Sequence, residues 1–253
     1  MRESDAPLTG CTGDPPSSAW VRAGRPVAPA GREGQRVSRV RTIGVLGAGR
    51  VGTAVARQSL RAGYDVLVAT AADPSEISLI VEVMAPGARA VTAAEAVRGS
   101  DVVVLSVPLR RYRTLDPELF AGRVVVDAMN YWPETDGHLP VMEGEVSTSE
   151  VVQTHLAGAR LVKTLNHIGY HDLESDHSPA GSPGRRALAV AGDDEEARAL
   201  VGEVVDRLGY DAVDAGPLAA GRALEPGTAV FSGRHDAGTL RALLTLAAAP
   251  ARY

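Results

Sequence analysis

The feature that most constrains this chain is an apolar run that stops at a G-x-G-x-x-G. Residues 42–57 read Thr-Ile-Gly-Val-Leu-Gly-Ala-Gly-Arg-Val-Gly-Thr-Ala-Val-Ala-Arg. Ile43 to Leu46 reads as a buried strand, and Val51, Ala54, Val55 and Ala56 share the apolar side of a helix that follows. A strand that turns so tightly into a helix needs glycine for three separate reasons. Gly47 allows the turn, Gly49 lets the backbone approach a pyrophosphate, and Gly52 lets the helix pack closely on the strand. The helix start offers free N–H groups and positive partial charge to phosphates, with Ala48, Arg50 and Val51 beside them. With 27 glycines among 253 residues the spacing alone is a weak signal. Its place between a strand and a helix turns it into an expectation of nucleotide binding.

The second strand refines the expectation. Tyr64 to Ala69 is short and β-rich, as a buried parallel strand should be. A site selective for NAD places an acid just beyond this strand, for the ribose hydroxyls. Here Thr70-Ala71-Ala72 is neutral and the first acid is Asp73, so nothing repels a 2′-phosphate and NADP is favoured. Thr70 can donate a hydrogen bond there, and Arg50 lies on the neighbouring loop.

Composition narrows the class. The length allows one large domain or two small ones. No apolar run approaches the roughly 20 residues needed to span a bilayer, so no membrane partner is expected. A single cysteine, Cys11, cannot form an internal disulfide and fits a reducing cytoplasm. Residues 1–40 are rich in Pro, Gly, Ser and Arg without apolar periodicity. They read as a disordered leader, or as a translation start assigned too far upstream. Residues 1–41 carry seven arginines and four acids, whereas the remainder is net −8. The scattered arginines form no patch and the body is acidic, so no nucleic-acid partner is expected.

From residue 41 strand and helix patterns alternate. Strands are predicted at 41–46, 65–70, 88–91, 101–107, 123–128, 160–165, 186–191 and 210–214. Helices are predicted at 50–62, 75–84, 93–99, 148–157, 194–208 and 236–247, with a helical turn near 110–119 and a loop over 166–184. The fold class is α/β: a Rossmann-type doubly wound, mostly parallel sheet, with residues 41–253 forming one unit that includes a C-terminal extension.

Ligands in such sheets bind beyond the carboxyl ends of the strands. That rule selects Val107 and Pro108, then Asn130 to Pro133, then Asn166 to Tyr170. Each has a bland alternative: Pro108 and Pro133 as strand terminators, Trp132 as a sheet-edge cover, Asn166 as a turn tie. His167 and His171 have the spacing of helical metal ligands, but Gly169 and Pro179 make the segment a loop, and no metal is expected. Lys163, the only lysine, either contacts a phosphate or carboxylate or pairs with a neighbouring acid.

Three motifs carry a narrower resemblance: Val-Val-Asp-Ala-Met-Asn-Tyr-Trp-Pro-Glu (125–134), Leu-Val-Lys-Thr-Leu-Asn-His-Ile-Gly (161–169), and Ala-Val-Ala-Gly-Asp-Asp-Glu-Glu-Ala (189–197) with Asp-Ala-Gly-Pro-Leu-Ala-Ala-Gly-Arg-Ala-Leu-Glu-Pro (214–226). Over roughly residues 41–230 the chain resembles the NADP oxidoreductase, coenzyme F420-dependent family. The resemblance implies NADP over the glycine loop, with Gly47, Ala48, Gly49, Arg50 and Val51 on the pyrophosphate and Thr70 near the 2′-phosphate. It puts Val107 and Pro108 along the path to the nicotinamide, with Asn130, Asn166, His167 and Ile168 near that ring. Coenzyme F420 is the implied second substrate, and hydride transfer between the two needs positioning more than acid–base chemistry. Asn166 and His167 are the positioning candidates. Two departures stand out: Thr70-Ala71 replaces the Ser-Arg of tight NADP binders, and Asn166 replaces a histidine of the archetypal deazaflavin enzymes. Reduction of a carbonyl, imine, flavin or ferric chelate, or a non-catalytic NADP(H) sensor, are the alternatives. The partner expected is a small-molecule acceptor; the oligomeric state stays open, a homodimer being one candidate.

Overall fold

The computed structural model describes residues 40–249. The expected leader lies outside these residues except for Val40, which is buried in the core. Cys11 lies outside them too.

The strands are β1 (Thr42–Leu46), β2 (Asp65–Ala69), β3 (Arg89–Ala90), β4 (Val102–Leu105), β5 (Val124–Asp127), β6 (Arg160–Lys163), β7 (Ala187–Gly192) and β8 (Asp211–Gly216). They form one sheet of eight in the order β3-β2-β1-β4-β5-β6-β7-β8. The order reverses between β1 and β4, which is where open sheets of this kind part to admit a ligand. Every pairing is parallel except β6 with β7. The fold is therefore the expected doubly wound, mostly parallel sheet.

Helices α1 (Arg50–Arg61), α2 (Pro74–Met84), α3 (Ala93–Gly99), α4 (Pro133–Asp136), α5 (Thr148–His155), α6 (Asp172–Ser175), α7 (Glu195–Arg207) and α8 (Ala237–Ala248) complete the chain. Their starts are written locally. Asp73 with Glu76, Thr92 with Glu95 and Ser147 with Glu150 each form a capping box, satisfying N–H groups that a helix start leaves unpaired. Alternation along each strand then divides the core. Val102 and Val104 pack in one layer with Val55 and Val201, while Val103 and Leu105 pack in the other with Val97 and Val152. Strands buried on both faces explain the unbroken Val/Leu runs.

Some boundaries moved. The strand expected at 101–107 stops at Leu105; the Ser106 N–H still donates to the Leu46 carbonyl at 2.9 Å, and its hydroxyl is shared between the carbonyls of Leu46 and Gly47. The loop expected over 166–184 contains the single turn α6. A 3-10 helix, Leu218–Leu224, was not anticipated. Among the described residues no helix is long and apolar enough to cross a membrane.

The antiparallel step has the largest consequence. The chain leaves β6 at the carboxyl end of the sheet and must re-enter at that same end to run back down as β7. Residues 164–186 are thereby held above the carboxyl ends. Only Val162 and Lys163 pair with β7, opposite Gly192 and Ala191, so the start of β7 overhangs β6.

Candidate functional site

The three glycines of the first turn have separable roles. Gly47 has φ +121°, donates its N–H to the Ala69 carbonyl at 2.8 Å, and would place a Cβ 2.5 Å from the Ser106 carbonyl oxygen. At Gly52 a Cβ would sit 1.8 Å from the Gly47 carbonyl oxygen. These two are required by the backbone itself. Gly49, the N-cap of α1, is different: its φ is −78° and a Cβ there would meet nothing within 4 Å. The space above Gly49 is open, as an approaching phosphate requires.

That space belongs to a cleft of about 1230 Å³ over the carboxyl ends of β1, β4, β5 and β6. Of the expected site residues, Gly49, Arg50, Val51, Val107 and Pro108 line its first half. Asn130, Asn166, His167 and Ile168 line the second. Gly47 and Gly52 lie behind the loop and Ala48 is half-buried beside it. Thr70 stands outside the cleft at the end of β2, where its hydroxyl accepts the Ala72 N–H. Arg50 extends its guanidinium to 5.9 Å from the centre of the Tyr170 ring.

His167 and Asn166 are tied into a network. His167 is buried, and its Nε2 accepts the Ala189 N–H at 3.0 Å. The imidazole proton therefore sits on Nδ1, which faces Asn166 Oδ1 at 3.1 Å. Burial first, and then the charges of Arg186, Lys163 and His235, hold the His167 pKa down to about 3. The ring is neutral with both nitrogens engaged. Asn166 Nδ2 donates to the Leu224 carbonyl at 2.7 Å and to Asn130 Oδ1 at 3.0 Å. Asn130 Nδ2 returns a bond to the Asn166 carbonyl at 2.7 Å. Leu165, the only non-glycine with positive φ among the described residues, turns the chain out of β6 at +63°.

Lys163 takes the structural alternative. Its ammonium is fully buried 3.2 Å from Asp127 Oδ2 and donates to the Met129 carbonyl at 2.6 Å. It joins β5 to β6 beneath the cleft and is too deep to reach a ligand.

The far end of the cleft is aromatic and charged. Trp132 and Phe231 meet edge to face, 5.9 Å between ring centres. Arg186, itself buried, bonds Asp172 and Asp176 at 3.3 and 2.8 Å, and Arg234 reaches Asp176 at 3.3 Å. Phe231, Arg186 and Arg234 carried no signal in the sequence. Phe231 and Arg234 arrive on the loop after the 3-10 helix, and Arg186 through the overhang of β7. His171 stacks on Tyr170 and His177 lies against the Glu174 carbonyl, so the loop histidines do not converge.

A Rossmann-type sheet, an open glycine cradle at a helix start and a cleft leading from it mark a dinucleotide-binding domain. Residues 42–131 match the sequence model of the family described as NADP oxidoreductase coenzyme F420-dependent, which bears out the expected resemblance over the first half of its span. The chain is also 25% identical over 185 residues to the metalloreductase STEAP3 of Rattus norvegicus, an alignment covering 72% of this chain and 35% of that protein. It thus spans about a third of that relative's length. A crystal structure of hypothetical protein SMa0349 from Sinorhizobium meliloti is similar at TM-score 0.66 and 27% identity, covering 75% of this chain and 92% of that one. A structure from Arthrobacter sp. FB24, described as an F420-dependent NADP-reductase, shares the fold at TM-score 0.61 and 24% identity, covering 73% and 88%. The matched segment, residues 42–131, is of the NADP-dependent oxidoreductase class.

Proposed function

We propose that this protein transfers hydride between NADP(H) and a flat conjugated acceptor, a deazaflavin such as coenzyme F420 or a flavin. The observation that carries the reading is the locked imidazole. His167 is the only histidine lining the cleft, and neither of its nitrogens is free to move a proton. Asp136, also in the cleft, accepts the N–H groups of Arg110 and Trp132. Such a site orients two rings without acid–base chemistry, which suits an acceptor that takes hydride directly into a conjugated system.

The chain's residues fit the dinucleotide. Gly49, Arg50 and Val51 present the start of α1 to its pyrophosphate. Val107 and Pro108 form the wall beyond, Asn130 faces the nicotinamide end, and Trp132, Phe231 and Tyr170 form an aromatic end for the acceptor. When bound, NADPH supplies the hydride. The reading carries a cytoplasmic location and a small-molecule acceptor, with no nucleic-acid partner.

An anaerobic assay with NADPH and a panel of acceptors tests the reaction. Bleaching of F420, or reduction of a free flavin, is the expected result. Turnover confined to a carbonyl or imine would overturn it. That second reading is favoured by one observation: Tyr170 lines the cleft, and its hydroxyl makes no hydrogen bond among the described residues. Tyr170→Phe separates the two. Loss of about 10²–10⁴-fold marks proton donation, whereas hydride transfer alone should fall only a few-fold.

The neutral Thr70-Ala71 predicts that NADPH binds more tightly than NADH, by about tenfold or ~1.4 kcal/mol. Calorimetric titration of both decides it; equal affinities, or a preference for NADH, would remove the NADP assignment.

A further inference from the structure

β6 ends early. Its last pairing places Lys163 opposite Ala191, so in an antiparallel ladder the next partner facing Ala189 would be Leu165. Leu165 instead turns away through its left-handed conformation, and the Ala189 N–H loses its strand partner. His167 Nε2 takes that N–H. A backbone group at the overhang of β7 thus decides which imidazole nitrogen carries the proton. The Nδ1–H and the acceptor-only Leu224 carbonyl together fix which way the Asn166 amide faces, with Oδ1 toward His167 and Nδ2 toward the Leu224 carbonyl and Asn130. Both Asn166 Nδ2 hydrogens are used.

Asn130 is the end of the chain of bonds. Its Oδ1 accepts from Asn166 and its Nδ2 donates to the Asn166 carbonyl. An amide has two donor hydrogens and two acceptor lone pairs on its oxygen. Asn130 therefore keeps one hydrogen and one lone pair, and it is the half-exposed member of the network, on the wall of the cleft. One donor beside one acceptor, held in a fixed orientation, complements a primary carboxamide.

We propose that Asn130 reads the nicotinamide carboxamide, and that His167, through Asn166, is the positioning residue that sets the Asn130 amide in the orientation to do so. The inference rests on the NADP reading above. It assigns His167 a role in cofactor discrimination through two hydrogen bonds, by way of Asn166 and Asn130, and without proton transfer.

The test is a binding comparison that needs no acceptor. Fluorescence titration compares NADPH with its reduced 3-acetylpyridine analogue, in which a methyl group replaces the carboxamide nitrogen. The wild type should favour NADPH at least fivefold. Asn130→Ala should reduce the preference to under twofold by weakening NADPH and sparing the analogue. His167→Phe, which keeps a ring but removes both nitrogens, should do the same. If His167→Phe does not fold by circular dichroism, Asn166→Asp decides in its place, since it removes both donors that hold Asn130 and Leu224. A preference that survives in the folded variants overturns the relay while leaving NADP binding intact. Wild-type protein that binds NADPH without preferring it over the analogue overturns the relay alone. Binding of neither nucleotide overturns the NADP reading and the relay with it.

Discussion

Replacing Lys163 with methionine is expected to lower stability by about 3–5 kcal/mol, the cost of leaving a buried charge without its partner. For a folded body of this size that is roughly 6–20 °C in Tm. Lys163 and Asp127 are both fully buried, and the ammonium also donates to the Met129 carbonyl. With lysine gone, Asp127 keeps the Ser149 hydroxyl at 2.7 Å and the Met129 N–H at 2.9 Å, two neutral donors for one carboxylate in an apolar layer. Adding Asp127→Asn removes the unpaired charge and should recover part of the loss. Because Lys163 reaches no ligand, the surviving folded protein should bind NADPH almost normally. Chemical denaturation of the single and double variants measures the first effect and titration the second. A single variant that loses under about 1 kcal/mol would mean that Ser149 and Met129 satisfy the carboxylate alone.

Gly49→Val is expected to weaken NADPH binding by at least tenfold, about 1.4 kcal/mol, while leaving the fold intact. The backbone at Gly49 lies at φ −78°, where any L-residue is at ease, and a Cβ meets nothing within 4 Å. The valine side chain would occupy only the space reserved for phosphate. Gly52→Ala is the instructive contrast. Its Cβ would lie 1.8 Å from the Gly47 carbonyl oxygen, so the strand–helix turn itself must open and stability falls before binding can be judged. Normal NADPH binding by folded Gly49→Val would make the glycine loop a structural turn and nothing more.

The glycine spacing was legible because all three requirements are local. Residues 47, 49 and 52 meet across one turn, and the steric reasons that select glycine act within it. The strands and helices were legible for a related reason: unbroken Val runs mark strands buried on both faces, and capping boxes such as Thr92 with Glu95 sit three residues apart. The rule that ligands gather beyond strand ends then pointed to Asn130 and Asn166 before their hydrogen bonds were visible. What stayed open were matters of distance along the chain. Lys163 had two readings because its acid, Asp127, lies on the neighbouring strand and no local pattern names it. Phe231 and Arg234 lie just past the last motif, where no local pattern marks them, and reach the cleft only through the path of the C-terminal loop.

By itself the sequence determined the α/β class, the strand–glycine–helix cradle and the segments that crowd the strand ends, since each follows from interactions within a few residues. Tertiary structure alone decided the direction of β7. With β7 antiparallel and the chain turning out of β6 at Leu165, the Ala189 N–H has no strand partner and His167 Nε2 takes it, which fixes the imidazole tautomer beside Asn166 and Asn130. The physical reason is that a hydrogen-bond donor becomes an orphan only when a strand passes it by, and which strand passes is a property of the whole sheet.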